Sequence, residues 1–136
     1  KCSFICSEGE SIALTDNYAD ILTISFGIRN VSNRAECLKE CFRILKPGGI
    51  FMCMEFSLPK DIMLRNLYDA WSYGLIPKFG KLIVGEEQPY KYLVDSIRTF
   101  PSPEEFSDTI ISAGFKNTTI RQLTGNIVCI YRAEKI

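Results

Sequence analysis

Apolar and polar positions follow each other in long blocks through the first half of the chain. Residues 20–28, DILTISFGI, are mostly apolar, which predicts a strand that is buried on both faces. The Ser-Asn pair at 32–33 supplies a predicted N-cap, and apolar residues at helical spacing carry the helix to about Leu45. Lys-Pro-Gly-Gly at 46–49 predicts the end of that helix, and residues 50–56 predict a second buried strand.

An aromatic-rich segment over residues 61–100 interrupts this alternation. Asp61 is a predicted cap for a helix that runs to about Tyr73, and residues 90–98 predict another short helix. Between the two helices the helical pattern is broken at Pro77, Gly80 and Gly85. We therefore expect a helical insertion here.

The C-terminal part returns to regular elements. Ser-Pro-Glu-Glu at 102–105 is a capping box with proline at the first helical position, and the helix is predicted to end at Gly114. Residues 115–123 and 127–132 predict strands joined by a short Thr-Gly-Asn loop, hence an antiparallel hairpin. The whole order predicts an open α/β sheet, mostly parallel, with a C-terminal antiparallel hairpin and a helical insertion.

Composition and charge narrow the class of protein. The 136 residues suffice for one domain, and a hydrophobic share of 46% is that of an ordinary globular chain. Sixteen basic residues balance sixteen acidic ones, so no global field attracts nucleic acid, and we expect no nucleic-acid partner. No apolar run approaches the roughly 20 residues that a membrane span needs.

Six cysteines and no histidine limit the available chemistry. Without histidine or a C-x-x-C pair, no zinc-binding pattern occurs, and we expect six free thiols and no metal. Cys37 and Cys41 lie one helical turn apart, a spacing that suits a ligand pair but more commonly marks buried core positions. Acid–base chemistry is left to carboxylates, tyrosine or water.

Longer motifs then occur in a specific order. They are TISFGIRN at 23–30, LKPGG at 45–49, MEFSLP at 54–59, YDAWSY at 68–73, PYKYLVDSIR at 89–98 and AGF at 113–115. Together they resemble the C-methyltransferases of ubiquinone and menaquinone biosynthesis, with similarity from about Ser7 to Arg132. The resemblance implies the Rossmann-like class I methyltransferase fold, S-adenosylmethionine as the methyl donor, and a polyprenylated benzoquinol or naphthoquinol as the substrate.

The family pattern also includes a glycine-rich turn and an acidic residue that this chain does not contain. The glycines let the backbone approach the cofactor, and the carboxylate binds the ribose hydroxyls. The chain has no G-x-G motif, and its glycine pair at 48–49 follows a predicted helix. We therefore expect residues 1–136 to be the C-terminal part of one methyltransferase domain, with 61–100 as a lid, and to be inactive alone.

The resemblance assigns three residues to the cofactor. Glu8 and Gly9 stand where the family has an Asn or Asp followed by Ala in contact with the adenine. A carboxylate is able to accept from the adenine amino group, although the longer Glu8 side chain departs from the family pattern and equally suits a solvated loop. Ser25 matches a cofactor-contacting serine, with a small residue in a tight strand as the alternative.

Arg29 and Asn30 are the predicted catalytic pair. Carbon methylation of a quinol ring needs partial loss of a phenolic proton, and a fixed guanidinium stabilises the anion that develops. Asn30 is expected to orient the same oxygen, and the Arg29 side chain to leave the sheet rather than pack in it. Glu55 ends the second buried strand, where a charge is costly, so it either pairs with Arg29 or faces the substrate.

The insertion supplies the remaining substrate candidates. Asp69 is a candidate base or orienting group that equally well faces solvent, and Tyr73 belongs to a lid that shields the methyl transfer and gives the prenyl tail an apolar path. Peripheral contact with the membrane that holds the substrate is expected through aromatic and basic residues of this segment, namely Trp71, Tyr73, Lys78, Phe79 and Lys81.

Other functions remain open from the sequence. The chain also suits a methyltransferase for another phenol or lipid, or a truncated, non-catalytic relative that binds a lipid or a partner. An open sheet edge predicts a homo-oligomer. The expected location is the cytoplasm at the inner membrane, with the mitochondrial matrix as the alternative.

Overall fold

A computed structural model describes residues 2–75 and 88–136, and they form a four-stranded sheet with helices. The strands are β1 (Ala19–Ser25), β2 (Leu45–Phe56), β3 (Lys116–Leu123) and β4 (Val128–Glu134). The α-helices are α1 (Arg34–Ile44), α2 (Ile62–Asp69), α3 (Gln88–Arg98) and α4 (Pro103–Ser112). Short 3-10 turns occupy Ile28–Asn30 and Thr124–Asn126, and a π-helical turn, Ala70–Leu75, follows α2.

The sheet contains the predicted parallel strand–helix–strand unit and the predicted antiparallel hairpin, and its strand order is β1-β2-β4-β3. β1 and β2 are parallel neighbours that α1 connects along the chain, while β4 is antiparallel to both β2 and β3. Three of these four strands therefore run in one direction, and the predicted hairpin supplies the single reversed strand. The positive φ of Gly125, 65°, lies in the predicted loop between β3 and β4.

Helix termini follow the capping signals in the sequence. The Asn33 side chain accepts a hydrogen bond from the Glu36 N–H at the start of α1, and Asp61 does the same for Leu64 at the start of α2. Ser102 and Glu105 form the complete capping box of α4. Each cap satisfies backbone donors that the first helical turn leaves without a partner.

The segment Lys-Pro-Gly-Gly differs from its prediction as a turn between separate elements. It lies inside β2 as a bulge, because Ala19 pairs with Leu45 and Ile21 already pairs with Ile50. Gly48 has φ +81°, and a Cβ on Gly49 would stand 2.8 Å from the Lys46 carbonyl oxygen. The glycines are needed for this bulge, because one adopts a left-handed conformation and the other lies against backbone.

The core lies on one face of the sheet, against α1 and α4. Its largest fully buried side chains include Phe51, Phe106, Phe115 and Tyr131. Cys37, Cys41, Cys53 and Cys129 are buried there too, so the core interpretation of the Cys37–Cys41 spacing is confirmed.

The opposite face of the sheet is exposed at β1, so the prediction that this strand is buried on both faces is wrong. On β1, Leu22 and Ile24 face the core, whereas Ile21 is 60% exposed, and Thr23 and Ser25 are exposed as well. The apolar run ends in a 3-10 turn rather than continuing as a strand, because Phe26 adopts φ +53°. A continuous apolar run does not tell one covered face from two, since coverage depends on which helices pack against the sheet.

The insertion is partly described. The predicted first helix is observed as α2 and the π-helical turn, and the predicted second helix is observed as α3. The predicted breaks at Pro77, Gly80 and Gly85 and the membrane candidates Lys78, Phe79 and Lys81 lie outside the described residues. No helix within 2–75 or 88–136 is long and apolar enough to cross a membrane.

Candidate active site

The N-terminal loop is attached to α1 by a charged network. Glu40 accepts from the Ile12 N–H at 3.0 Å, and Arg43 donates to the carbonyl oxygens of Ile12 and Leu14 at 3.0 and 2.8 Å. Arg43 also binds Glu40 directly, and mainly this hydrogen bond lowers the pKa of the Glu40 carboxyl to about 2. The network fixes where the loop that contains Glu8 meets α1.

A cleft of about 520 Å3 opens between this loop and the turn that follows β1. It lies beyond the carboxyl end of a parallel strand, where open α/β sheets bind ligands. The structure thus brings three of the predicted site residues together, from positions far apart in the chain. The cleft is lined by Glu8, Gly9, Glu10, Asn30, Val31 and Ser32.

Arg29 and Glu55 form a buried ion pair at the carboxyl ends of β1 and β2. Arg29 Nη1 lies 2.8 Å from Glu55 Oε1, and the side chains are 10% and 0% exposed. Glu55 also accepts from the backbone N–H groups of Arg29 and Phe56, at 3.3 and 2.9 Å. The pairing that the sequence offered as one alternative for Glu55 is confirmed.

This packing corrects the expectation that the Arg29 side chain leaves the sheet. The 3-10 turn folds the guanidinium back over the end of β2, where Nη1 also donates to the Phe26 carbonyl oxygen and the group lies 5.5 Å from the centre of the Phe56 ring. The Nε atom is buried and has no partner among the described residues. Arg29 therefore supports the fold, whatever it also does to a substrate.

Asn30 takes a different position from its neighbour. Its side chain is exposed at the cleft, and its Oδ1 accepts a hydrogen bond from the Tyr92 hydroxyl at 2.9 Å. Tyr92 lies on α3, so this bond joins the insertion to the cleft. The sequence analysis did not single out Tyr92, because no local pattern signals a contact between residues 62 positions apart.

Asp69 and Tyr73 contact an arginine that the sequence did not single out. Arg98 Nη2 donates to Asp69 Oδ1 at 2.5 Å, and the Arg98 guanidinium lies 4.2 Å from the centre of the Tyr73 ring. Asp69 therefore faces a cation rather than bulk solvent, and the pair ties α3 to α2. Nearby, burial raises the pKa of the Tyr68 phenol.

Ser25 lies apart from the other cofactor candidates. It borders a cavity of about 180 Å3 on the exposed sheet face, which it shares with Thr23, Met52 and Met54. Among the described residues, no group of Cys, Asp and Glu side chains is arranged to hold a metal ion.

Comparison with known proteins gives the family. The sequence profile of the ubiE/COQ5 methyltransferase family matches residues 1–135. The chain belongs to this family. It is 45% identical over 134 residues to the mitochondrial 2-methoxy-6-polyprenyl-1,4-benzoquinol methylase of Bos taurus, covering 98% of this chain and 41% of that protein. It is 44% identical over 133 residues to the ubiquinone/menaquinone biosynthesis C-methyltransferase UbiE of Rickettsia bellii, covering 98% and 54%.

The fold comparison agrees. A SAM-dependent methyltransferase from Thermotoga maritima superposes with a TM-score of 0.66 at 21% identity, over 94% of this chain and 61% of that one. The predicted class I methyltransferase architecture is thereby confirmed for the part present. The chain spans between about two fifths and about half the length of the two curated relatives.

Proposed function

We propose that the full-length protein transfers a methyl group from S-adenosylmethionine to a ring carbon of a polyprenylated benzoquinol or naphthoquinol. Family membership over almost the whole chain and the names of the relatives support the reaction. The observation that carries it for this chain is the cleft that gathers Glu8, Gly9 and Asn30 beside the Arg29–Glu55 pair. This arrangement supports a cofactor site at the cleft with an anion-stabilising group next to it.

The cleft residues fit the adenine end of the cofactor. The exposed Glu8 carboxylate has no partner within the described parts of the chain, so it is available to accept from the adenine amino group. The Gly9 backbone lies close against this wall of the cleft, since a Cβ there would stand 3.3 Å from Cys37 Sγ and 3.5 Å from Val31 Cγ2. S-adenosylmethionine supplies the electrophilic methyl group when bound.

The protein's own part in the reaction is to orient the ring and stabilise its charge. Glu55 holds the Arg29 guanidinium rigidly, so its remaining N–H donors need no reorganisation when a phenolic oxygen near them becomes negative. Asn30 binds the same oxygen from the mouth of the cleft. Glu55 and Asp69 each engage an arginine, and their role is to fix those cations.

The reaction is tested with the full-length protein, isotopically labelled S-adenosylmethionine and a short-tail demethylated quinol. NMR of the product should show the label on a ring carbon; label on oxygen, or no transfer, would refute the proposal. Glu8→Ala should raise KM for S-adenosylmethionine roughly tenfold, because a charged acceptor is lost. Glu36→Ala, which removes an exposed carboxylate outside the cleft, is the matched control and should leave KM unchanged.

We further propose that the protein contacts a membrane through α2, on the cytoplasmic side in a bacterium or in the matrix of a mitochondrion. One relative is named as mitochondrial and another comes from a bacterium, which supports either setting. Four large apolar side chains of α2 and the following turn support the contact, because each is more than half exposed; they are Ile62, Met63, Leu67 and Trp71. The full-length protein should co-sediment with phospholipid vesicles, and Leu67→Ser should weaken this whereas Asn66→Ser should not.

A further inference from the structure

The hydrogen bond between Tyr92 and Asn30 determines which end of the Asn30 amide faces the cleft. An asparagine side chain has one accepting oxygen and one NH2 group with two donors. The Tyr92 hydroxyl donates to Oδ1 at 2.9 Å, so Oδ1 is engaged by α3. Nδ2 has no partner among the described residues and is left to donate to a ligand.

The bonds that Arg29 makes within the protein make the Asn30 NH2 group more important as a donor to a ligand. Arg29 Nη1 is already shared between Glu55 Oε1 and the Phe26 carbonyl oxygen. Nη1 is thus engaged by the protein, and Asn30 lines the cleft whereas Arg29 does not. A directed donor to a quinol oxygen is then best supplied by Asn30, provided that its amide does not rotate.

Tyr92 is itself held in place by the rest of α3. Val94 and Ile97 are buried, and Arg98 binds Asp69 and lies over the Tyr73 ring. Tyr92 and Arg98 stand about 9 Å apart along the helix axis, at about 1.5 Å per residue. The ion pair therefore anchors one end of the helix segment whose other end reaches Asn30.

We propose that Tyr92 is a positioning residue for the methyl transfer. Its hydroxyl fixes the Asn30 amide with Nδ2 towards the cleft, and thereby couples docking of the helical insertion to assembly of the site that binds the quinol oxygen. This inference rests on the proposed function for the reaction itself, but the orientation of the amide is a property that is measurable without turnover.

The test uses the full-length protein and five variants. Tyr92→Phe removes the hydroxyl alone, and Tyr90→Phe is the matched control on the same helix. We expect Tyr92→Phe to lower kcat about five- to tenfold, the scale of one neutral hydrogen bond, with KM for S-adenosylmethionine and the melting temperature unchanged. Asn30→Ala should lower kcat by roughly 10²-fold, and the double variant should match Asn30→Ala alone, because Tyr92 acts through Asn30.

Asn30→Asp separates the role of the side-chain oxygen, which binds Tyr92, from that of the NH2 group, which faces the cleft. It keeps an oxygen for Tyr92 but has no NH2, so it should be as slow as Asn30→Ala. Normal turnover of Asn30→Asp, a Tyr92→Phe rate within twofold of wild type, or additive losses in the double variant would each overturn the proposal. So would a Tyr90→Phe loss equal to that of Tyr92→Phe, since that would reflect general damage to α3.

An NMR measurement keeps this test independent of the reaction. The Asn30 side-chain NH2 signal is assigned by its disappearance in Asn30→Asp. It should report a more mobile amide in Tyr92→Phe and not in Tyr90→Phe. If the wild-type protein transfers no methyl group, the proposed function fails, and this signal alone decides the inference. An unchanged signal in Tyr92→Phe overturns it.

Discussion

Removing Arg29 should destabilise the protein strongly, because it leaves a buried carboxylate without its positive partner. Glu55 is fully buried, and Arg29 Nη1 at 2.8 Å is the cation that it contacts. In Arg29→Ala the carboxylate would keep two backbone donors, at 3.3 and 2.9 Å, but no counter-charge. Breaking a buried pair from one side typically costs about 3–5 kcal/mol, so we expect a loss on that scale.

The assay is urea unfolding of the full-length protein, with the free energy extrapolated to water. Lys39→Ala provides the control, because Lys39 and Glu36 form an exposed pair with side chains 59% and 50% accessible. Its expected cost is under about 1 kcal/mol. A loss below about 1 kcal/mol in Arg29→Ala would show that the buried pair does not support the fold.

A double variant separates loss of the pair from loss of its charge balance. Arg29→Met with Glu55→Leu removes both charges, and apolar replacements of a buried pair are often neutral or stabilising. The double variant should therefore be more stable than either single variant. If it is less stable than both, the destabilisation comes from lost packing and the electrostatic reasoning is wrong.

The contribution of Arg29 to stability also affects its measured activity. A rate loss in Arg29→Ala mixes unfolding with chemistry, so turnover has to be normalised to the folded fraction. If Arg29 also stabilises a phenolate, kcat/KM of the folded protein should still fall roughly 10²–10³-fold. Arg29→Lys should be impaired as well, because lysine lacks the planar fork.

Three other sites in the structure give measurable differences in stability or reactivity. The charged Glu40 carboxylate stabilises the fold, and this stabilisation is present above about pH 4.5 and is lost as the pH falls towards 2. In urea unfolding across this range, Glu40→Gln should lose less free energy of unfolding on acidification than the wild-type protein does. An equal loss would contradict the assignment. In the same assay Gly49→Ala should lower the free energy of unfolding more than Gly48→Asn does, because a Cβ on Gly49 meets backbone whereas Asn tolerates φ +81°. Equal losses of unfolding free energy would refute this. Mass mapping after brief alkylation should find Cys2 and Cys6 modified in the native protein and the other four cysteines only after denaturation, and early labelling of any of those four would contradict their burial.

Local signals in the sequence were sufficient for the elements and their order. Caps at Asn33, Asp61 and Ser102 mark helix starts because the cap and its target N–H are three residues apart, within reach of a single pattern. The hairpin between β3 and β4 is likewise local. The bulge in β2 was not found, since it depends on the register with β1 rather than on the Lys-Pro-Gly-Gly sequence alone.

The family motifs located the candidate residues, but only the tertiary structure decided what each one contacts. The sequence placed Arg29 and Asn30 after the first strand and Glu55 at the end of the second, and carboxyl ends of parallel strands lie at one sheet edge. Glu8 was assigned to the cofactor by the resemblance alone. The sequence left open whether Glu55 pairs with Arg29, a contact across 26 residues.

The partners that lie farther away in the chain had no sequence signal at all. Tyr92 reaches Asn30, and Arg98 reaches Asp69, through the packing of α3 against the turn after β1 and against α2. Hydrophobic periodicity states which face of a helix is buried, but not which residue of another element lies against it. Those contacts follow from how the insertion packs on the sheet, which only the three-dimensional arrangement determines.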